Sequence, residues 1–128
     1  MHRGSCLCSA VTFEVTGDLP APVACHCTQC RKQSGHYWAA VDVACEQLTV
    51  SGKEHITYYS ASPRIRRGFC SKCGAFLFWE PQGTGKIDIA MGAFDGAVQT
   101  KLSKHIFVAD KGDYYEITDD LPQSAQEI

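Results

Sequence analysis

Seven of the eight cysteines fall into two groups whose spacing suits metal chemistry. The first consists of two close pairs, Cys6-Leu7-Cys8 and Cys70-Ser71-Lys72-Cys73, the second followed by Gly74. Zinc prefers four ligands in a tetrahedron, and closely spaced thiolates can share one ion. The glycine lets the backbone turn tightly around such an ion. A metal joining the pairs would tie the N-terminal segment to the middle of the chain, so that binding contributes directly to folding. Cys6, Cys8, Cys70 and Cys73 therefore read as a closed Cys₄ structural zinc site. A disulfide or ordinary buried thiols is the weaker alternative in a reducing compartment. The second group is Cys25-His26-Cys27-Thr28-Gln29-Cys30. Three thiolates leave a tetrahedral ion one ligand short, which is the logic of a catalytic zinc with an exchangeable fourth position. The alternative is a second structural site completed by His36, His55, His105 or Cys45. His26 is a poor ligand, because in an extended segment its side chain points away from its neighbours. Cys45 reads as a bystander thiol.

The elements that must position these groups are mostly strands. In residues 11–16, Val11, Phe13 and Val15 share one face and Thr12, Glu14 and Thr16 the other. Further strands are expected over 36–43, 48–50, 56–59, 75–79, 87–91 and 105–108, with turn residues between them, which suggests antiparallel sheets. One short helix is predicted from Thr28 to Ser34, with Thr28 as N-cap and Gly35 as C-terminal cap. Cys27 and Cys30 flank its start, where backbone N–H groups favour thiolates, and Arg31 and Lys32 offset their charge. A second helical turn at 113–117 is weakly indicated. The polar stretch 119–128 is expected to fray. Phe76, Phe78 and Trp79 read as core. The basic run Arg64, Arg66 and Arg67 reads first as a solvated strand edge.

A chain of 128 residues, 45% apolar and 20% charged, suits one domain with one core over residues 1–128. Its formal charge of −2 argues against a nucleic-acid binder. No apolar run approaches the ~20 residues of a membrane helix, and the first residues lack an apolar stretch of signal-peptide type. The expectation is a protein of the reducing cytoplasm with no membrane partner, in which cysteines serve metal or thiol chemistry.

Taken together, Cys6-Leu7-Cys8, the segment from Cys25 to Gly35, Ser62-Pro63, and Arg67-Gly68-Phe69-Cys70-Ser71-Lys72-Cys73-Gly74 resemble the glutathione-dependent formaldehyde-activating enzyme family. His105-Ile106-Phe107 and Tyr115-Glu116-Ile117 are similar to its C-terminal part, so the resemblance spans residues 2–122. It implies a mainly β, Mss4-like (β-tent) fold of antiparallel sheets with a structural zinc and one short helix. It also implies structural zinc ligands at Cys6, Cys8, Cys70 and Cys73, and catalytic zinc ligands at Cys25, Cys27 and Cys30. Two Zn²⁺ per chain follow. The family is classed with carbon–sulfur lyases, and its named member joins glutathione to formaldehyde; another group in it, like centromere protein V, is linked to centromeres. The implied partners are a small-molecule thiol, glutathione or another, and an aldehyde or an S-substituted thiol. Arg64, Arg66 and Arg67 could then contact the carboxylates of a glutathione-like tripeptide. The competing reading is a zinc-stabilised module that binds nucleic acid or protein without catalysis.

Overall fold

The computed structural model describes residues 1–126, and in chain order these form ten strands and one α-helix. The strands are β1 (His2–Ser5), β2 (Thr12–Val15), β3 (Val23–Cys25), β4 (Trp38–Ala44), β5 (Leu48–Ser51), β6 (Ile56–Ser62), β7 (Ile65–Cys70), β8 (Phe76–Pro81), β9 (Lys86–Ala90) and β10 (Lys104–Ile106); the helix is α1 (Thr28–Ser34). β1, β2 and β5 pair antiparallel in a small sheet. The other seven form a large sheet in the order β10-β3-β4-β9-β8-β7-β6. All its pairings are antiparallel except β10 with β3, which is parallel and departs from the expectation of purely antiparallel sheets.

The alternation seen along residues 11–16 explains how the sheets meet. Val11, Phe13 and Val15 are fully or almost fully buried against Val41, Val43, Phe78 and Ile89 of the large sheet. Phe13 sits edge-on to both Phe78 and Phe94, with ring centroids 5.8 and 5.2 Å away. Gly4 allows this approach, since a Cβ there would stand 2.3 Å from the Ala93 carbonyl oxygen and 2.4 Å from the Phe13 ring. Burying one such aromatic contributes about 2–3 kcal/mol, so this interface carries much of the stability.

One face of the large sheet is therefore core, and period 2 sends the intervening residues to the other face. There the register lines up a row across four strands: Arg67 opposite Trp79, Trp79 opposite Asp88, and Asp88 opposite Asp42. Toward one end of the same face stand Cys25 and Trp38, paired across β3 and β4.

The helix lies where the spacing predicts, but its N-cap is Cys27 rather than Thr28. The Cys27 sulfur accepts the Cys30 N–H at 3.3 Å, so the cap and a candidate ligand are the same atom. Gly35 ends the helix with φ of 91° and donates its N–H to Arg31 O, the cap glycine role. The helical turn expected at 113–117 is absent; residues 113–114 form a plain turn. The stretch expected to fray is instead tied down as far as it is described. His105 N–H donates to Pro122 O, Val108 N–H to Ser124 O and Ala109 N–H to Ala125 O. Residues 127 and 128 lie outside the described residues.

Candidate functional site

The two cysteine groups assemble in space as their spacing suggests. The sulfurs of Cys6, Cys8, Cys70 and Cys73 all lie within 4.8 Å of one another, and so do those of Cys25, Cys27 and Cys30. Sγ of Cys8 is 3.7 Å from that of Cys6 and 3.7 Å from that of Cys70. A tetrahedral zinc with Zn–S bonds of ~2.3 Å sets its sulfurs ~3.8 Å apart, so these separations fit a metal and lie far outside disulfide range. All eight cysteines are free thiols.

The four-cysteine group is built from two turns. Cys6 and Cys8 follow β1, Cys70 ends β7, and Cys73 lies in the turn between β7 and β8. Val11 N–H donates to Cys6 Sγ at 3.3 Å and Lys72 N–H to Cys70 Sγ at 3.4 Å. Gly74 takes φ of 79°, which supplies the tight turn expected after Cys73. Backbone N–H groups, Ala75 foremost, lower the Cys73 thiol to about 6. With four sulfur donors held by backbone, the group leaves no ligand position for a substrate.

The triplet is different. Cys25 ends β3, Cys27 caps α1 and Cys30 sits in its first turn, 3% exposed. The contacts with Cys25 and Cys30 hold the Cys27 thiol far below its usual range, with the Cys30 N–H and the charge of Arg67 acting in the same direction. The contacts with Cys27 and Cys30, with burial, push Cys25 far above it. One thiolate forms readily there; three require a cation among them. No histidine or carboxylate joins either group among the described residues. The histidines weighed as fourth ligands are engaged elsewhere. His26 is completely buried, with Nδ1 on the Tyr115 hydroxyl and Nε2 2.8 Å from His105 Nδ1. His105 Nε2 in turn meets Asp119 at 2.9 Å. His36 Nδ1 meets the Tyr114 hydroxyl at 3.0 Å, and His55 stands 4.0 Å from Glu54. Cys45 starts a short 3₁₀ turn and packs against the main core, as a bystander should.

The triplet opens into a cavity of about 880 Å³ on the free face of the large sheet. Trp38 and Ile106 flank the sulfurs, while Asp42, Lys86, Asp88 and Lys104 line other parts of its wall. Behind Cys30, Trp38 stacks on Phe76 at 4.3 Å between centroids. Burial, with the charge of Asp42 added, raises the Asp88 carboxyl to about 7.

Two expectations need correction here. Of the aromatic stretch, Phe78 is core, but Phe76 and Trp79 are only partly buried and Trp79 lines the cavity. The reason is β alternation, which turns Trp79 away from the core that Phe78 enters. Of the basic run only Arg64, in the turn after β6, is solvated as expected. β7 is an interior strand between β6 and β8, and its two arginines face opposite ways. Arg66 pairs with Glu80 at 2.8 Å and lies over the Tyr58 ring, whereas Arg67 is 5% exposed and reaches Cys30. Asp42 and Asp88 are the cavity residues that motif reading missed, and Arg67, named there as a strand-edge residue or a carboxylate contact, lies instead beside Cys30. Alternation through β4, β7 and β9 was the signal that could have placed them on one face.

The family model for the glutathione-dependent formaldehyde-activating enzyme matches residues 1–110 of the chain. The chain belongs to this family. An uncharacterized lyase of Schizosaccharomyces pombe is 28% identical to it over 116 residues, covering 90% of this chain and 84% of that protein. The family fold is also that of a Rhodobacter sphaeroides protein of known crystal structure, with a TM-score of 0.64 and 22% identity over 79% of this chain and 99% of the other. Membership and the lyase relative support lyase-type, glutathione-dependent chemistry at the level of the family. Among the described residues, no helix of this family member is long and apolar enough to cross a membrane.

Proposed function

We propose that the protein is a zinc-dependent carbon–sulfur lyase that adds glutathione, or a similar thiol, to a small aldehyde such as formaldehyde, or reverses that step. The observation that carries this reading is a cysteine triplet with no fourth protein donor at the wall of a substrate-sized cavity. Cys6, Cys8, Cys70 and Cys73 hold a structural zinc in this reading, and Cys25, Cys27 and Cys30 a second, catalytic one. Zinc at the triplet would offer its fourth position to a thiol and favour that thiol's deprotonated form at neutral pH.

The chain's own residues do the rest. Trp38 and Ile106 set apolar surface beside the sulfurs, where a thiolate is less well solvated and so more nucleophilic than in water. A C–S bond forms as the thiolate attacks the aldehyde carbon, the C=O π electrons move to oxygen, and that oxygen takes a proton from water; the reverse step breaks the same bond. Glutathione carries an ammonium group and two carboxylates. The cavity wall offers carboxylates at Asp42 and Asp88 and ammonium groups at Lys86 and Lys104, a mixed lining suited to a zwitterionic thiol. Free cysteines throughout accord with a reducing, cytoplasmic setting.

The test is two-dimensional exchange NMR on the zinc-loaded protein with glutathione and formaldehyde. Exchange between free and S-hydroxymethylated glutathione should run well above the spontaneous rate. A rate equal to the protein-free control sinks the reading.

A further inference from the structure

Arg67 is a charge without a carboxylate. It is 5% exposed, and an arginine does not lose its proton in a protein. A buried guanidinium costs several kcal/mol unless an anion and hydrogen-bond acceptors surround it. None of the ion pairs among the described residues includes it. Its Nη1 and Nη2 instead lie 3.7 and 3.8 Å from Cys30 Sγ, a two-pronged approach to one sulfur. Gln33, one turn along the same helix, accepts a hydrogen bond from Nη1 at 3.2 Å and fixes the fork in that direction. Its Nε has no hydrogen-bond partner, and besides the Phe76 ring, whose centroid lies 5.7 Å from Cζ, the contacts with Cys30 and Gln33 are what the buried head relies on.

The charge count gives this geometry a purpose. Three thiolates around one divalent ion carry one excess negative charge, in a pocket where Cys30 is buried and the neighbouring walls are apolar. Among the described residues no side-chain cation hydrogen-bonds the four-cysteine group; backbone N–H groups of Val11 and Lys72 serve its sulfurs. We propose that Arg67 is the counter-charge and positioning residue of the cysteine triplet: it neutralises the metal-thiolate centre and holds the Cys30 sulfur through paired N–H···S contacts. This deepens the metal reading of the triplet and rests on it. Arg67 also lines the cavity wall, and its approach to Cys30 makes it a positioning residue of the triplet.

The experiment compares zinc retention in the full chain, wild type against Arg67→Met, Arg67→Lys and Arg66→Met, by competition with a chromophoric chelator. Groups that orient metal ligands usually cost 10–100-fold in metal affinity when removed. In wild type, two zinc ions should be held. In Arg67→Met the more weakly held ion should lose at least 10-fold in affinity, with the other unchanged. Arg67→Lys, which keeps the charge and loses the fork, should lose less, and Arg66→Met nothing. Equal retention of both ions in Arg67→Met overturns the role of Arg67 and leaves the metal reading standing. A single zinc in wild type overturns the metal reading and this inference with it. Should Arg67→Met fail to fold, cobalt-substituted wild type and Arg67→Lys are compared by absorption. Loss of the N–H···S contacts makes the thiolate a stronger donor, so its charge-transfer band should move to longer wavelength; an unmoved band overturns the proposal.

Discussion

At the scale of single residues, Cys27 carries more than one task. Its sulfur caps α1 through the Cys30 N–H and belongs to the triplet. A serine can still cap the helix, so Cys27→Ser should separate the tasks. The expected outcome is turnover reduced at least ~100-fold, as for loss of a metal ligand, one zinc lost per chain, and an unchanged far-UV spectrum. Metal analysis and glutathione–formaldehyde exchange check it, and undiminished turnover would refute a catalytic triplet. Asp88 makes a second prediction. Burial, with the Asp42 charge added, disfavours the anion and raises its carboxyl to about 7 in the fold, well above the ordinary aspartate range of about 4. The folded state then holds a proton that the unfolded state has released, so stability falls as pH rises from about 4 to about 7. Asp88→Asn should be close to neutral at pH 4 and stabilising at pH 8, on the order of 1 kcal/mol or more. Urea titrations at the two pH values measure it; an equal effect at both would mean the carboxyl is not perturbed. The cysteines were legible in the sequence because metal ligation demands particular residue types at short spacing. Asp42, Asp88 and the place of Arg67 beside Cys30 were not, because these proximities depend on strand register, and no local pattern encodes it.

At the scale of elements, the four-cysteine group acts as a clasp. It joins the loop between β1 and β2 to the turn between β7 and β8, that is, the edge of the small sheet to the large sheet. Without a metal, several thiols in one small volume favour release of the turns, since only some can ionise together. Cys73→Ala should therefore lower the melting temperature sharply, by ~10 °C or more for a cost of a few kcal/mol in a chain of this size. Chelator treatment of wild type should do the same, and added zinc should restore it. A variant that melts with the wild type would show that the clasp adds nothing to the fold. Alternation revealed β2 and β9, and β-forming runs bounded by turn residues revealed β6 and β8, all within a residue or three of their bounds. β1, β3 and β7 escaped it for identifiable reasons. β1 reads His-Arg-Gly-Ser, β3 is only Val-Ala-Cys, and β7 contains adjacent arginines. All three are held by pairing with neighbours on the page of the sheet rather than by their own composition.

At the scale of the whole molecule, the C-terminal stretch closes the structure over the back of the triplet. Asp119 meets His105, His105 meets His26, and His26 meets Tyr115, so a chain of side chains runs from the surface to the residue between Cys25 and Cys27. The His105 hydrogen bond holds the Asp119 carboxyl below its ordinary range. Residues 122–125 add backbone hydrogen bonds to the segment around β10, and β10 pairs with β3. A polar tail is thus ordered by partners distant in sequence, which composition alone could not show. Removing residues 119–128 should accordingly lower the melting temperature by several degrees and raise amide exchange in β10 and β3. Because β3 ends at Cys25, zinc should also leave the triplet faster while the four-cysteine group retains its ion. Asp119→Asn keeps the backbone–backbone hydrogen bonds and weakens the side-chain contacts with His105 and with the Leu121 N–H, so it should reproduce a small part of this effect. Hydrogen exchange and timed zinc release on both variants decide the matter. If the truncated chain matches wild type in both, the tail is a passive covering, and α1 with β3, paired to β4, holds the triplet without it.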